Sequence, residues 1–584
     1  MKKIRLKIIS VLLAISIVFC GFSAVGASAA SDIGNTLTNV GVSALEGVIR
    51  VLLSGICAAV PDSKNIKKLS EHVEDTFYKG TDEFLSEPAA DAKWQLGYSK
   101  ASLVPDDILE KGTEYYLGGF MTIDNGMNNK IEEVIDDMQV RIIAVSDGSG
   151  RGVSIFANVD CIGFCNEDIK TVRKYLEALN VGVELNSVNI ASTHCHSCID
   201  TQGLWTNTFK KVLTNMAKSY LPFLNKERGV NTEWIDWACH VIANSMKTAI
   251  EDMKSGTMTY AKKTLNEEYF NNKNRKSSTS LCSDISRLVF TPSDGSKPTM
   301  MVNIAAHPDV VGLATSDEQD NGRQLSGDYV YYMGETIENA GYNFMFMNGA
   351  IAGIYYGRGL TNDGVDTGRR YGQAVRYGHE MGNIALSLTK TYDEISASAD
   401  WDTIKKEQAE GGDGYTLWFE DWEPVTETEL DPILNVRLKE VQIEVNNPLM
   451  VLVGKIDITC YKMYKEGINK YYMFTEIGYA EFGNVKVAMV PGELVQDIMY
   501  GGASLTAEGS FKGEDFGYPS ITEIFGEDTI CFGLCNDAIG YIVPDNDYSL
   551  GIVDDHYQEL ISLGSKTASS IVKGFAELHE EIDK

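Results

Sequence analysis

One stretch constrains this chain more than any other. Ser187-Val188-Asn189-Ile190-Ala191 alternates apolar and polar residues and runs directly into Ser192-Thr193-His194-Cys195-His196-Ser197. Alternation with period 2 marks a strand, and a strand that ends on imidazoles two residues apart presents both on one side of its sheet. The chain holds only 8 histidines in 584 residues, so two of them at one strand end ask for a reason. One reason is a metal ligand with a neighbour aimed at the same substrate; the other is two hydrogen-bonded histidines at a strand edge.

The pattern on either side predicts alternating strands and helices. Residues 139–145 and 152–160 are apolar strands joined by the turn-forming Asp147-Gly148-Ser149-Gly150, hence a hairpin. A helix is expected over 166–179, a helix-rich interval over 205–253, and strands at 286–291 and 299–304, split by Pro292-Ser293-Asp294-Gly295. Further strands are expected at 344–347, 436–445, 450–459 and 485–490, with helices to about residue 340, over 372–390 and over 559–581. This succession predicts an α/β (mixed α+β) fold: one large domain over 91–584, built on mixed β-sheets flanked by helices. An acidic stretch at 400–435 containing Gly411-Gly412-Asp413-Gly414 reads as an insertion, in which Trp418, Phe419 and Trp422 line an acyl pocket or pack as core or lid. Residues 30–90 read as a helical leader, apolar over 40–60 and charged and amphipathic over 63–79.

Residues 1–29 carry Lys2, Lys3, Arg5 and Lys7, an apolar run from Ile8 to Phe19, and Ala27-Ser28-Ala29. That is the order of a secretory signal peptide, and it predicts export. The apolar run is shorter than the roughly 20 residues that span a bilayer, and no later stretch qualifies. A formal charge of −31 repels nucleic acid and anionic headgroups and excludes polyanionic partners. Of 11 cysteines, the pairs Cys161/Cys165, Cys195/Cys198 and Cys531/Cys535 do not form the dense framework of a small disulfide-stapled scaffold. Cys195-x-x-Cys198 lacks the second pair of a zinc ribbon.

Three sets of polar groups sit at predicted strand ends far apart in the chain: His194 with His196, His307, and Glu493 in Val490-Pro491-Gly492-Glu493. Two imidazoles and a carboxylate are a ligand set of catalytic zinc, which keeps a position open for water. Taken singly, His307 before a proline is a loop histidine, and Glu493 complements a helix N-terminus.

The wording of these motifs carries a resemblance. Ala191-Ser-Thr-His-Cys-His-Ser197 resembles the Thr-His-Thr-His-Ser-Gly-Pro segment of the neutral/alkaline, non-lysosomal ceramidases. In the same order, Asn303-Ile-Ala-Ala-His307, Leu325-Ser-Gly-Asp328, Val490-Pro-Gly-Glu493 and Asn536-Asp-Ala-Ile-Gly-Tyr541 are similar to that family's further motifs, over about residues 94–578. The resemblance implies zinc (Zn2+) on His194, His307 and Glu493, and hydrolysis of the N-acyl amide bond of a lipid or small substrate. It implies His196 as acid/base, Tyr541 as an oxyanion donor, and Asp328 as a carboxylate behind a ligand imidazole. Departures are equally specific. Ala352-Gly353-Ile354-Tyr355-Tyr356 stands where ceramidases carry a Gly-Asp-Val-Ser-Pro serine, and Ala538 stands where their motif has a zinc-binding tyrosine. The fourth ligand is then water, Tyr541 or nothing, and the immunoglobulin-like domain is not expected. The alternatives are an esterase or other zinc hydrolase on the same fold, and a non-catalytic binding protein.

Overall fold

A computed structural model of the chain describes residues 51, 53–110, 114–119, 129–205, 208–221, 223–274, 280–311, 323–357, 371–398, 422–550 and 557–584. The signal segment and the first third of the leader lie outside these residues, as does most of the acidic insertion.

Two β-sheets pack face to face, and helices cover the outer face of each. The first sheet contains Trp94–Ser102 (β1), Gln139–Ser146 (β2), Val153–Val159 (β3), Leu185–Ser192 (β4), Lys254–Thr264 (β5), Asp284–Pro292 (β6), Thr299–Ile304 (β7) and Asn343–Asn348 (β8). Its order is β8-β7-β6-β5-β1-β2-β3-β4, with Thr428–Glu429 added beside β5. β3/β4 and β7/β8 pair parallel, and the other neighbours pair antiparallel. The second sheet is built on Leu434–Val445 (β9), Lys470–Phe482 (β10) and Val485–Met489 (β11), extended by Lys67–Lys68, Tyr464–Glu466 and Ile530–Phe532.

Period-2 alternation sorts the side chains between layers. In β2, Ile143 and Val145 face the second sheet while Val140, Ile142 and Ala144 face the helices Asn166–Ala178 (α1) and Thr232–Glu251 (α2). β2 is buried at every position, so its sequence reads as a continuous apolar run. In β10, Ala480 and Phe482 face the first sheet, and Met473, Ile477 and Tyr479 face the C-terminal helix Thr567–Ile582. Phe482 lies between Phe156 and Trp94, at centroid distances of 5.4 and 6.4 Å; burial of such a side chain contributes about 1.5–3 kcal/mol.

The first sheet coils until its ends meet. Six strand steps separate β4 from β7, and at roughly 20–25° per step they accumulate more than a right angle of twist. Tyr98 on β1 therefore donates to Phe344 O on β8 at 2.8 Å, and Asn348 Nδ2 reaches Thr193 O just past β4 at 2.8 Å. This coiling brings the C-terminal ends of β4 and β7 together, although the two strands run in opposite directions in the sheet order.

Three expectations are corrected. Residues 450–459 are not a strand: Pro448–Lys455 is a helix, started by Asn447, whose Oδ1 accepts from Leu449 N, and by Pro448 in its first turn. The apolar run Met450–Val453 is too short to carry a period that tells helix from strand. Residues 63–79 form no amphipathic helix, only the strand Lys67–Lys68 and the 3-10 turn Leu69–Glu71. The last helix starts at Thr567, because Gly564, at φ 142, breaks the chain between it and Tyr557–Leu560. Trp422 packs in the core beneath Lys263; Trp418 and Phe419 lie outside the described residues.

Candidate active site

β4 ends at Ser192, so strand alternation does not place the two motif imidazoles. Instead His194 adopts a left-handed conformation, φ 66, which turns the chain sharply. Asp328, Leu534 and Asn536 share that strained region, at φ 56, 46 and 66. Strain gathered in neighbouring loops persists only where surrounding bonds over-determine it. Here they do: Thr193 N donates to Val159 O, Cys195 N to Cys161 O, His196 N to Pro308 O and Asn536 N to Ile190 O. Gly119, at φ 149, lies against His196 so closely that a Cβ there would come 2.6 Å from the histidine Cβ.

The structure brings His194, His196, His307 and Glu493 together. The rings of His194 and His196 meet edge to face at 4.8 Å, as do those of His194 and His307. Glu493 Oε2 lies 3.2 Å from His307 Nε2 and 3.3 Å from His194 Nε2. His194 Nδ1 is 2.7 Å from Ile162 O, and His307 Nδ1 is 2.7 Å from Ile354 O. A carbonyl only accepts, so each Nδ1 carries a proton and each Nε2 is the nitrogen turned toward the carboxylate. Two imidazoles and a carboxylate meet this closely only with positive charge among them, either protons on Nε2 or a bound cation.

The electrostatics agree. Burial alone would raise the Glu493 pKa, but His194 and His307 outweigh it and hold the carboxylate below its ordinary range. Burial opposes a charge on His194, yet Glu493 shifts its pKa upward. His196 is driven well down, first by burial and then by the other two imidazoles. The donor set fits a divalent cation: bonds of about 2.0–2.1 Å in a tetrahedral site put ligand atoms about 3.3 Å apart, close to the separations at Glu493. The ligand atoms of His194, His196 and His307 all lie within 4.8 Å of one another.

Tyr541 stands beside Glu493 in a short parallel bridge, and that carboxylate acts electrostatically on its hydroxyl. Tyr355, in the strand Ile354–Tyr356, stacks on His307 at 4.4 Å. Sequence patterns carried no sign of Tyr355 or of the two carbonyls, because a backbone acceptor has no residue signature. Asp328 is not behind an imidazole. Its carboxylate accepts from Val311 N at 2.8 Å and Tyr329 N at 2.6 Å, fixing the loop after His307, while backbone carbonyls orient the rings of His194 and His307. Cys195 and Cys198 both donate to Ser326 O as buried thiols, and Cys165 is bonded instead to Cys460.

Comparison with solved structures places this architecture. Neutral ceramidase from Pseudomonas aeruginosa matches with a TM-score of 0.56 at 13% identity, over 84% of this chain and 74% of that one. A ceramidase complexed with C2 matches with a TM-score of 0.55 at 12% identity, over 84% and 76%. The chain has the neutral ceramidase fold. No protein-family model and no curated protein matches the sequence. Within this fold, the candidate site takes His194, His307 and Glu493 from just beyond the ends of β4, β7 and β11, one from each of three segments that only the folded chain joins.

Proposed function

We propose that this protein is an exported, metal-dependent hydrolase that cleaves an N-acyl amide bond at the site formed by His194, His307 and Glu493. One observation carries the reading: two imidazoles, each fixed by a carbonyl at Nδ1, converge through Nε2 on one buried carboxylate oxygen. The matched ceramidase structures favour an amide over other acyl bonds as the substrate.

Zinc, when bound by these three residues, supplies a water of pKa about 7 and polarises the acyl carbonyl. The chain's own groups do the rest. Tyr541 O–H, beside Glu493, donates to the acyl oxygen as negative charge develops there. His196 is kept neutral by burial and by its two neighbours, and it holds or moves a proton at the leaving nitrogen. Tyr355 packs on His307 and shields that face of the ring from water.

The test is metal content together with turnover. Glu493→Gln keeps the shape of the carboxylate but removes its charge; it should abolish stoichiometric zinc and lower hydrolysis of N-acyl amides by about 10³-fold or more. His194→Ala should do the same. Wild-type turnover in either variant would overturn the reading.

A further inference from the structure

Ala538 touches both halves of the candidate metal site. Its loop closes on the carboxylate side: Ile539 N donates to Pro491 O at 2.9 Å, and Glu493 N donates to Gly540 O at 3.0 Å. Its methyl closes on the imidazole side. A Cβ on Gly163 would come 2.5 Å from Ala538 Cβ, so the methyl lies against the bare Cα of the residue that follows Ile162, and the Ile162 carbonyl is the one that orients His194. Thr201 Oγ1 ties down the Gly163 carbonyl at 2.6 Å. Whatever fixes Ala538 therefore bears on the separation of His194 from Glu493.

Two donors from distant segments converge on the Ala538 carbonyl. One is the Tyr461 hydroxyl, and the other is Gln202 Nε2 at 3.2 Å, from the loop after His196. Tyr461 follows Cys460, which is bonded to Cys165 in the loop that carries Gly163. Burial, and after it the charges of Asp537 and Glu493, hold the Tyr461 pKa well above its ordinary range, so the phenol keeps its proton and remains a donor. Asp537 anchors the loop one residue earlier, through Asn166 N and Thr475 Oγ1. The carbonyl from which the chain runs on to Gly540 and Tyr541 is held by Tyr461 and Gln202.

We propose that Tyr461 is a positioning residue of the metal centre: by holding the Ala538 carbonyl it sets how closely Glu493 approaches His194, and hence how tightly the site binds zinc. This rests on the metal-dependent reading above. His194 Nε2 and Glu493 Oε2 lie 3.3 Å apart, the spacing of about 3.3 Å that a tetrahedral zinc asks of two ligand atoms. A loop that relaxes by a few tenths of an ångström loses that match, and partners behind metal ligands typically contribute about 10–100-fold to affinity.

The experiment measures the zinc Kd by chelator competition, and the visible spectrum after cobalt(II) substitution, on the full-length protein. Tyr461→Phe keeps the ring and removes the donor; zinc Kd should rise about tenfold, and the cobalt bands should shift because the ligand geometry has changed. Ala538→Gly removes the methyl beneath Gly163 and should act in the same direction. Tyr471→Phe is the control: on β10 it gives up a hydroxyl bond to Asp62 Oδ1 of 2.7 Å, so it should lower stability while keeping the wild-type Kd and bands. If these binding effects appear and no N-acyl amide is hydrolysed, the positioning role stands and the hydrolase reading falls. Wild-type Kd and bands in both Tyr461→Phe and Ala538→Gly, or an equal loss in Tyr471→Phe, overturn this inference and leave the hydrolase reading intact.

Discussion

Two buried groupings of this protein are alike in composition and opposite in finish. Arg173 on α1 meets Glu476 on β10 through two parallel bonds of 2.8 Å, and Glu476 also accepts from Asn166 Nδ2 at 3.1 Å. The remaining arginine donors go to Val188 O and Thr76 O. Asp537, next door, accepts from Asn166 N, Ala538 N and Thr475 Oγ1. Every charge there is answered within the chain, and the result is a clamp between the two layers. At His194, His307 and Glu493 the outward nitrogens are equally well tied, but the inward nitrogens of both rings converge on a single carboxylate oxygen. Buried polar groups that saturate one another hold a fold together; groups fixed from behind and left convergent in front are arranged for something the chain does not supply.

Separate losses follow from that contrast, and the largest is the loss of metal and turnover in Glu493→Gln. The clamp should fail differently. Arg173→Met leaves Glu476 buried without its partner, a change that costs about 3–5 kcal/mol of stability, read as a lower urea midpoint. Below its melting temperature the variant should still bind one equivalent of zinc. Loss of zinc from a folded Arg173→Met protein would show that the two groupings are one. A smaller effect is expected from Cys460→Ser, which opens the bond closing a 295-residue separation between α1 and the loop before β10. It should cost about 2–4 kcal/mol and leave KM unchanged.

The fold was legible where turn chemistry punctuates alternation. The strand at 299–304 and the 139–159 hairpin are bounded by Gly, Asp and Pro, and both form as expected. β5 and β10 were not legible: Lys254–Thr264 alternates burial with lysines and threonines, and Lys470–Phe482 mixes five aromatics with charges, so neither shows a clean period. Of the site, the residues that converge were readable as separate motifs, but their meeting was not, because it depends on the accumulated twist of the first sheet. Asp328 shows the limit from the other side. Its motif was visible, yet its bonds go to the backbone of the loop rather than to a ring.

Asp328 also gives the smallest and sharpest test of the contrast, since it is a buried carboxyl that neither a cation nor an arginine answers in its hydrogen bonds. Burial pushes its pKa up to about 8, against two backbone donors that pull it down. Unfolded, it titrates near 4. Between about pH 4 and 8 the folded chain therefore binds a proton that the unfolded chain does not, and stability falls as pH rises, most steeply by about 1.4 kcal/mol per unit. Asp136 and Asp537, pushed up to about 6 and 7, also by burial, add slopes that level off at lower pH. The window in which Asp328 dominates is then pH 7.5 to 8.5. Asn at this position keeps an acceptor for Val311 N, tolerates φ 56, and does not titrate. Urea midpoints of zinc-loaded Asp328→Asn should be nearly flat across that window while wild type declines. Equal slopes would mean that Asp328 is charged in the folded protein and belongs electrostatically with the histidines it was first read beside.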